Sequence, residues 1–67
     1  MDRLSKREVQ VLALMSTGML NKEIAEQLDI SIDTVKKHTK NIYAKLNLRN
    51  RTEAVGYILK SKVNNKN

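Results

Sequence analysis

The chain has 67 residues, and its 13 Lys and Arg outnumber its 7 Asp and Glu, which gives a formal net charge of +6. It has no Cys, so neither a disulfide framework nor a thiolate zinc site can stabilise it or supply chemistry. This length predicts a single domain over residues 1–67, close to the lower limit for a chain that folds around one core. A hydrophobic fraction of 40% is too high for a disordered polyelectrolyte.

Apolar residues recur at about 3.6-residue spacing and Pro is absent, which predicts an all-α fold. We expect a four-helix bundle with helices over about 6–17, 22–28, 32–46 and 51–61. The ordered core should cover about 4–61, followed by a polar tail over 62–67 that frays.

The first helix has clear start and stop signals. Ser5 and Glu8 have the spacing of a capping box, and Gly18 is placed to end the helix in a left-handed conformation. We expect the helix to bury Val9, Leu12 and Ala13, together with Leu14 or Met15.

A short second helix should begin after an N-cap at Asn21. Its apolar stripe is Ile24, Ala25 and Leu28. Asp29 then lies where the following turn needs a positive φ, a conformation that Asp tolerates better than most residues.

Ser31 is the predicted N-cap of the third helix, whose inner face carries Val35, Thr39, Ile42 and Leu46. A short helix, a turn of three or four residues and a longer basic helix form the layout of a helix-turn-helix. An ordinary helical hairpin would share most of these features. A second capping box over 50–53 opens the fourth helix, whose apolar residues include Ala54, Val55, Ile58 and Leu59.

The basic charge is concentrated in one segment. Residues 34–52 contain no acid, whereas outside this window 7 basic residues are balanced by 7 acidic ones. The window's basic residues are Lys36, Lys37, Lys40, Lys45, Arg49 and Arg51. Such a run is either a solvated helix face or a surface for an anionic partner.

At 100° per residue, a polar face lies opposite the inner stripe of the third helix. The side chains suited to reading base edges in the major groove are Asp33, Lys36, Lys37 and Lys40. Those suited to phosphate contacts are Asn21, Lys22, Ser31, Thr34, Asn41, Arg49 and Arg51. His38 and Tyr43 flank the inner face, where structural packing is the expected role.

The segments LSKRE at 4–8, NKEIA at 21–25, TVK at 34–36, KL at 45–46 and RTEAV at 51–55 resemble the LuxR-type helix-turn-helix. This is the DNA-binding domain shared by the LuxR, NarL, FixJ and GerE regulators. The resemblance covers about residues 4–60.

The resemblance implies a four-helix fold whose third helix enters the major groove and whose fourth helix mediates dimerisation. Position by position it makes Lys36, Lys37 and Lys40 base-reading residues, with Asp33 as a further candidate. Lys37 stands where many members have a small apolar residue. Asn47 stands where most have Gly after the third helix, and Asn can also adopt the left-handed conformation. Glu8 matches a characteristic acid of the family, for which we expect a structural role in the capping box or against a neighbouring helix.

If Ala54, Val55 and Ile58 face the core, then Tyr57, Leu59 and Val63 are left for a two-fold contact between two chains. The sequence therefore predicts a homodimer through the fourth helix, formed either in solution or only on DNA. RNA polymerase is a further partner to consider. The chain is either a free-standing regulator or the effector end of a longer protein.

The function that these observations predict is sequence-specific binding of double-stranded DNA by a bacterial transcriptional regulator, without cofactor or metal. The alternative is a protein-interaction module whose basic face docks an acidic partner. One His and no Cys offer neither a nucleophile–base pair nor a metal cluster, so we expect no enzyme. The longest apolar stretch, 11–15, is too short for a membrane span, and with no signal peptide the expected location is cytoplasmic.

Overall fold

A computed structural model describes residues 3–66, with side chains described for residues 3–60. The described residues form four α-helices and no strand: α1 (Lys6–Met15), α2 (Asn21–Leu28), α3 (Ile32–Leu46) and α4 (Arg51–Lys66). The predicted all-α fold is confirmed. Helix α1 packs against each of the other three helices, and α3 packs against both α1 and α2.

One continuous core holds the helices together. Its buried members are Val11, Leu12, Met15, Ile24, Ala25, Val35, Ile42 and Ala54. Every helix contributes at least one of them, so burial of this cluster stabilises the whole arrangement.

Helix α1 is shorter than the predicted 6–17, because its last turn tightens after Met15. The Thr17 N–H bonds Leu14 O at 3.1 Å and the Gly18 N–H bonds Met15 O at 3.0 Å. These i→i+3 bonds replace the α-helical pattern. Gly18 has φ +90°, the left-handed end that the sequence predicted.

The predicted inner face of α1 is wrong in part. Val9 is 51% exposed and Ala13 is also exposed, whereas Val11 and Met15 are fully buried. At 100° per residue, Val11, Leu12 and Met15 share one side of the helix with the buried Glu8. The core-facing stripe is therefore centred on a charged residue, which apolar periodicity places outside.

The sequence predicts Asn21 as the N-cap of α2, which is wrong, because Asn21 is the first helical residue. Leu20 occupies the N-cap position, and its N–H donates to Glu23 Oε1 at 2.8 Å. The Glu23 carboxylate thus accepts the N–H of the N-cap residue, as the acid of a capping box does, although the Leu20 side chain offers no acceptor in return.

The helix-turn-helix layout is as predicted. Asp29, which follows α2, has φ 57°, and Asn47, which follows α3, has φ 56°. Both helices therefore end at a left-handed residue. The Ile30 N–H bonds Ala25 O at 3.0 Å, and the Leu48 N–H bonds Tyr43 O at 2.8 Å. Each helix therefore ends in a Schellman-type turn that fixes the direction of the chain.

Helix α4 begins with the predicted side-chain cap, because the Glu53 N–H donates to Asn50 Oδ1 at 3.0 Å. The reciprocal bond differs from a capping box, since Glu53 Oε1 accepts the N–H of Arg49 at 2.7 Å instead of that of Asn50. The helix runs to Lys66, beyond the predicted end at 61 and into the segment predicted to be a frayed tail. Over its first two turns only Ala54 is fully buried, with Val55 and Ile58 half-buried.

None of the helices in the described part of the chain is long and apolar enough to cross a membrane. Across those same residues, no three His, Asp or Glu side chains come together in a way that could hold a metal ion.

Candidate nucleic-acid interface

The orientation of α3 is set by its buried stripe. Val35 and Ile42 are fully buried and Thr39 nearly so, while the Thr39 hydroxyl donates to Lys36 O within the helix at 2.8 Å. Because this side of α3 is fixed against α1 and α2, the opposite side faces solvent. That exposed side carries Asp33, Lys36, Lys37, Lys40 and Ala44, with Asn41 half-buried at its edge.

The ammonium groups of Lys36, Lys37 and Lys40 have no hydrogen-bonded or ion-paired partner among the side chains of residues 3–60. Asp33 lies three and four positions before Lys36 and Lys37, the spacing at which ion pairs form along a helix, but it makes no ion pair with either lysine among the described side chains. Here the face offers three cations to an external anion, so it has the electrostatic character of a phosphate-binding or base-reading surface.

The start of α3 is rigidly capped. Ser31 Oγ accepts the Thr34 N–H at 3.0 Å and lies 2.8 Å from Thr34 Oγ1. Ser31 is exposed and Thr34 is half-buried. Both hydroxyls therefore lie at the solvent edge of the turn that precedes the basic face.

Two residues predicted as separate phosphate contacts are joined to each other. Arg51, at the start of α4, donates from Nη1 to Asn21 Oδ1 at 3.3 Å and from Nη2 to Met19 O. Asn21 and Arg51 are both half-buried, whereas the neighbouring Lys22 and Arg49 are exposed. Because Asn21 and Arg51 are 30 residues apart in the sequence, no local sequence pattern could predict this contact.

Lys45 belongs to the basic window but is turned inward. Its ammonium donates to Glu8 Oε1 at 2.8 Å and to Arg3 O at 3.1 Å. The same Glu8 oxygen accepts the Ser5 N–H at 2.9 Å, and Ser5 Oγ accepts the Glu8 N–H at 3.1 Å. The expected structural role of Glu8 is confirmed for both the capping box and a neighbouring helix, although sequence reasoning did not identify Lys45 as its partner.

The hydrogen bond from Lys45 lowers the pKa of the Glu8 carboxyl below its ordinary value of 4.5, and the Ser5 N–H lowers it further. Burial of the carboxyl acts in the opposite direction but is the smaller effect. Glu8 is therefore charged in the folded protein at neutral pH.

The basic window thus divides into two groups. Lys36, Lys37, Lys40 and Arg49 extend into solvent, while Lys45 and Arg51 bind groups within the fold. The net charge of the segment overstates the number of cations that a partner can reach.

Helix α4 exposes two large apolar residues, Tyr57 at 42% and Leu59 at 52%, which lie on different sides of the helix because they are two positions apart. An open groove of about 610 Å³ runs beside Leu59, lined by residues of the α1 end and of α4 that include Met15, Thr52 and Val55. The side chain of Val63, the third predicted dimer contact, lies outside the described residues. His38 and Tyr43 are half-buried beside the α3 stripe.

The sequence of residues 2–58 matches the family model of the bacterial regulatory proteins of the LuxR family. The chain belongs to the LuxR family. The resemblance predicted from the motifs is confirmed, and the family is one of DNA-binding domains of transcription regulators, which is not an enzyme class.

Curated relatives of this LuxR-family domain include the oxygen regulatory protein NreC of Staphylococcus carnosus, 50% identical over 60 residues. NreC of Staphylococcus aureus is 48% identical over the same length. Each alignment covers 90% of this chain but 28% of NreC. The chain therefore spans less than a third of the relatives that it matches.

Solved structures agree with the fold. The response regulator ChrA of a heme-sensing two-component system superposes with a TM-score of 0.84 at 37% identity, over 92% of this chain and 31% of ChrA. The RcsB response regulator of Salmonella typhimurium, described in terms of conformational dynamism for DNA interaction, superposes with a TM-score of 0.85 at 36% identity, over 88% of this chain and 29% of RcsB.

Proposed function

We propose that this domain binds double-stranded DNA sequence-specifically, with α3 lying in the major groove, and regulates transcription as a homodimer through α4. The observation that carries the proposal is the exposed face of α3, where three lysines have no internal partner among the described side chains. A major groove about 12 Å wide admits an α-helix, and the fixed inner stripe of α3 keeps this face outward.

Base reading falls to Lys36, Lys37, Lys40 and Asp33. A lysine ammonium donates to O6 and N7 of guanine, and a carboxylate accepts from N4 of cytosine. Asp33 lies in the first turn of α3, where the helix dipole stabilises an acid even beside phosphates. Lys37 stands at the centre of the exposed face, so it is the residue expected to give this domain its own base preference.

Phosphate contacts fall to residues around that face: Asn21, Lys22, Ser31, Thr34, Asn41 and Arg49. Arg51, which the sequence also predicts as a phosphate contact, is joined to Asn21. The hydroxyl, amide and cationic groups of the contacting residues hold the register of the helix on the duplex without reading sequence. Binding should therefore weaken as salt increases, because each neutralised phosphate releases counterions.

The experiment is selection of bound duplexes from a random-sequence pool at a stated salt concentration, followed by alanine substitution. Lys37→Ala and Lys40→Ala should each cost about 1–3 kcal/mol of binding free energy on the selected site and relax the preference at one base pair. Lys6→Ala is the matched control, because Lys6 is also an exposed lysine, on α1, and its loss removes the same charge.

The control should leave the base preference unchanged. If neither Lys37→Ala nor Lys40→Ala alters the selected sequence, α3 does not read bases. If no duplex is enriched and an acidic protein binds the domain through Lys36 and Lys37, the domain is a protein-interaction module instead.

A further inference from the structure

Arg51 lies at the junction between α4 and the turn that precedes α2. Its guanidinium binds the backbone carbonyl of Met19 and the side-chain oxygen of Asn21. Both partners are neutral, and the residue is half-buried. An arginine used in this way fixes the position of the groups that it binds.

The chemistry of the contact determines how Asn21 is oriented. A guanidinium has N–H donors and no acceptor, so the atom of Asn21 that faces it is the carbonyl oxygen. The amide NH₂ group of Asn21 is therefore directed away from Arg51. It is a hydrogen-bond donor held at the first residue of α2.

Asn21 lies in the helical turn that also carries the free backbone donors of α2. The first N–H groups of a helix have no acceptor within the helix, and in α2 the Glu23 carboxylate accepts only the N–H of Leu20, outside the helix proper. The N–H groups of the first turn and the NH₂ of Asn21 form a set of donors that a phosphate oxygen can accept from.

We infer that Arg51 is a positioning residue, which holds the Asn21 amide toward a DNA phosphate and does not contact a phosphate itself. This inference rests on the proposed function, since it assigns a role within the same DNA interface. It replaces the sequence-based prediction that Asn21 and Arg51 contact phosphates independently.

The two roles differ in how they affect salt dependence. Removing a direct phosphate contact lowers the slope of log K against log salt by about 0.9. Removing a positioning residue weakens binding but leaves the number of neutralised phosphates nearly unchanged. The two roles also differ in coupling, because a residue that acts through Asn21 has nothing to act on once Asn21 is replaced.

The experiment measures binding to a mixed-sequence duplex of about two helical turns across a range of salt, for Asn21→Ala, Arg51→Gln and the double variant. Each single substitution should weaken binding about three- to tenfold, and the double variant should be no weaker than the weaker single variant. The slope for Arg51→Gln should match that of the unmodified protein. Arg49→Gln is the comparison, because the loss of this exposed arginine should lower the slope of log K against log salt by about 0.9.

Arg51→Lys serves as a second variant that keeps the charge but lacks the two-pronged donor geometry. It should weaken binding as Arg51→Gln does. The unfolding transition of each variant is measured by circular dichroism, and binding is measured below that temperature. Arg51→Lys decides the question if Arg51→Gln does not fold.

A slope that falls by about 0.9 in Arg51→Gln, additive costs in the double variant, or full binding by Arg51→Lys would each overturn the inference. Failure of the proposed function is a different result, in which the unmodified protein shows no salt-dependent binding to the duplex.

Discussion

A single carboxylate oxygen of Glu8 accepts hydrogen bonds from the Lys45 ammonium and from the Ser5 N–H. Lys45 lies in the last turn of α3 and Glu8 in the first turn of α1, so this contact joins the end of the proposed recognition helix to the start of the chain. A buried carboxylate requires such partners, because its removal from water is otherwise costly. The role of Lys45 is thus internal, even though it lies in the most basic segment.

The first prediction concerns the pH dependence of this pair. The pKa of Glu8 is lowered in the folded state, so the unfolded state binds more protons and the pair stabilises the fold above the ordinary carboxyl pKa. That contribution should be lost as pH falls from about 5 through the lowered pKa of Glu8. Urea unfolding of the unmodified protein and of Glu8→Gln, measured between neutral and acidic pH, tests it.

Glu8→Gln should be less stable at neutral pH and should lose less free energy of unfolding as the solution is acidified. Glu26→Gln is the matched control, because Glu26 is an exposed acid outside the first turn of α2 and its removal should leave the acid-dependent loss intact. Equal losses in the unmodified protein and in Glu8→Gln would contradict the assignment.

At the scale of the helices, two glycines have opposite requirements. Gly18 ends the turn after α1 with φ +90°, whereas Gly56 lies inside α4, and a Cβ added at either position would meet no atom within 4 Å. Space is therefore not the deciding factor. The backbone conformation is, because a side chain is strained at positive φ and favoured over glycine within a helix.

The same substitution at both positions should therefore change stability in opposite directions. Gly56→Ala should raise the free energy of unfolding by about 0.5–1 kcal/mol, and Gly18→Ala should lower it by about 1 kcal/mol or more. Thermal and urea unfolding of the two variants measure this directly. A loss of stability in Gly56→Ala would indicate that α4 is not helical at that position.

The sequence was sufficient for the existence and order of the helices, and for the left-handed residues Gly18, Asp29 and Asn47. It was not sufficient for the phase of α1, where apolar residues lie on two sides and a buried acid marks the inner one. Periodicity assumes that charge faces solvent, and Glu8 breaks this assumption only because Lys45, 37 positions away, supplies a partner. The Asn21–Arg51 contact was hidden for the same reason, since long-range pairing leaves no local pattern.

At the scale of the whole molecule, α3 and α4 expose different surfaces. Lys36, Lys37 and Lys40 share the exposed face of α3, while Tyr57 and Leu59 are exposed on α4. A second copy of the domain could pack on α4 without covering the face proposed to meet DNA. This separation is what a regulator needs if two chains are to occupy paired half-sites.

Dimerisation is tested by sedimentation of the domain alone and with the selected duplex. Leu59→Asp, and separately Tyr57→Ser, should prevent two chains from binding one duplex cooperatively, since a charge or a lost aromatic ring disrupts an apolar contact. Gln10→Asp, at an exposed position on α1, controls for the added charge. A stable dimer unaffected by both α4 substitutions would exclude this surface.

The central position of α1 has a consequence for how the domain folds. Since α1 packs against each of the other three helices, loss of this one element would remove a packing surface from all of them together. Folding and unfolding are therefore expected to be cooperative, with no stable state in which α3 keeps its orientation while α1 is detached. The face of α3 proposed to meet DNA exists only when the whole bundle is folded.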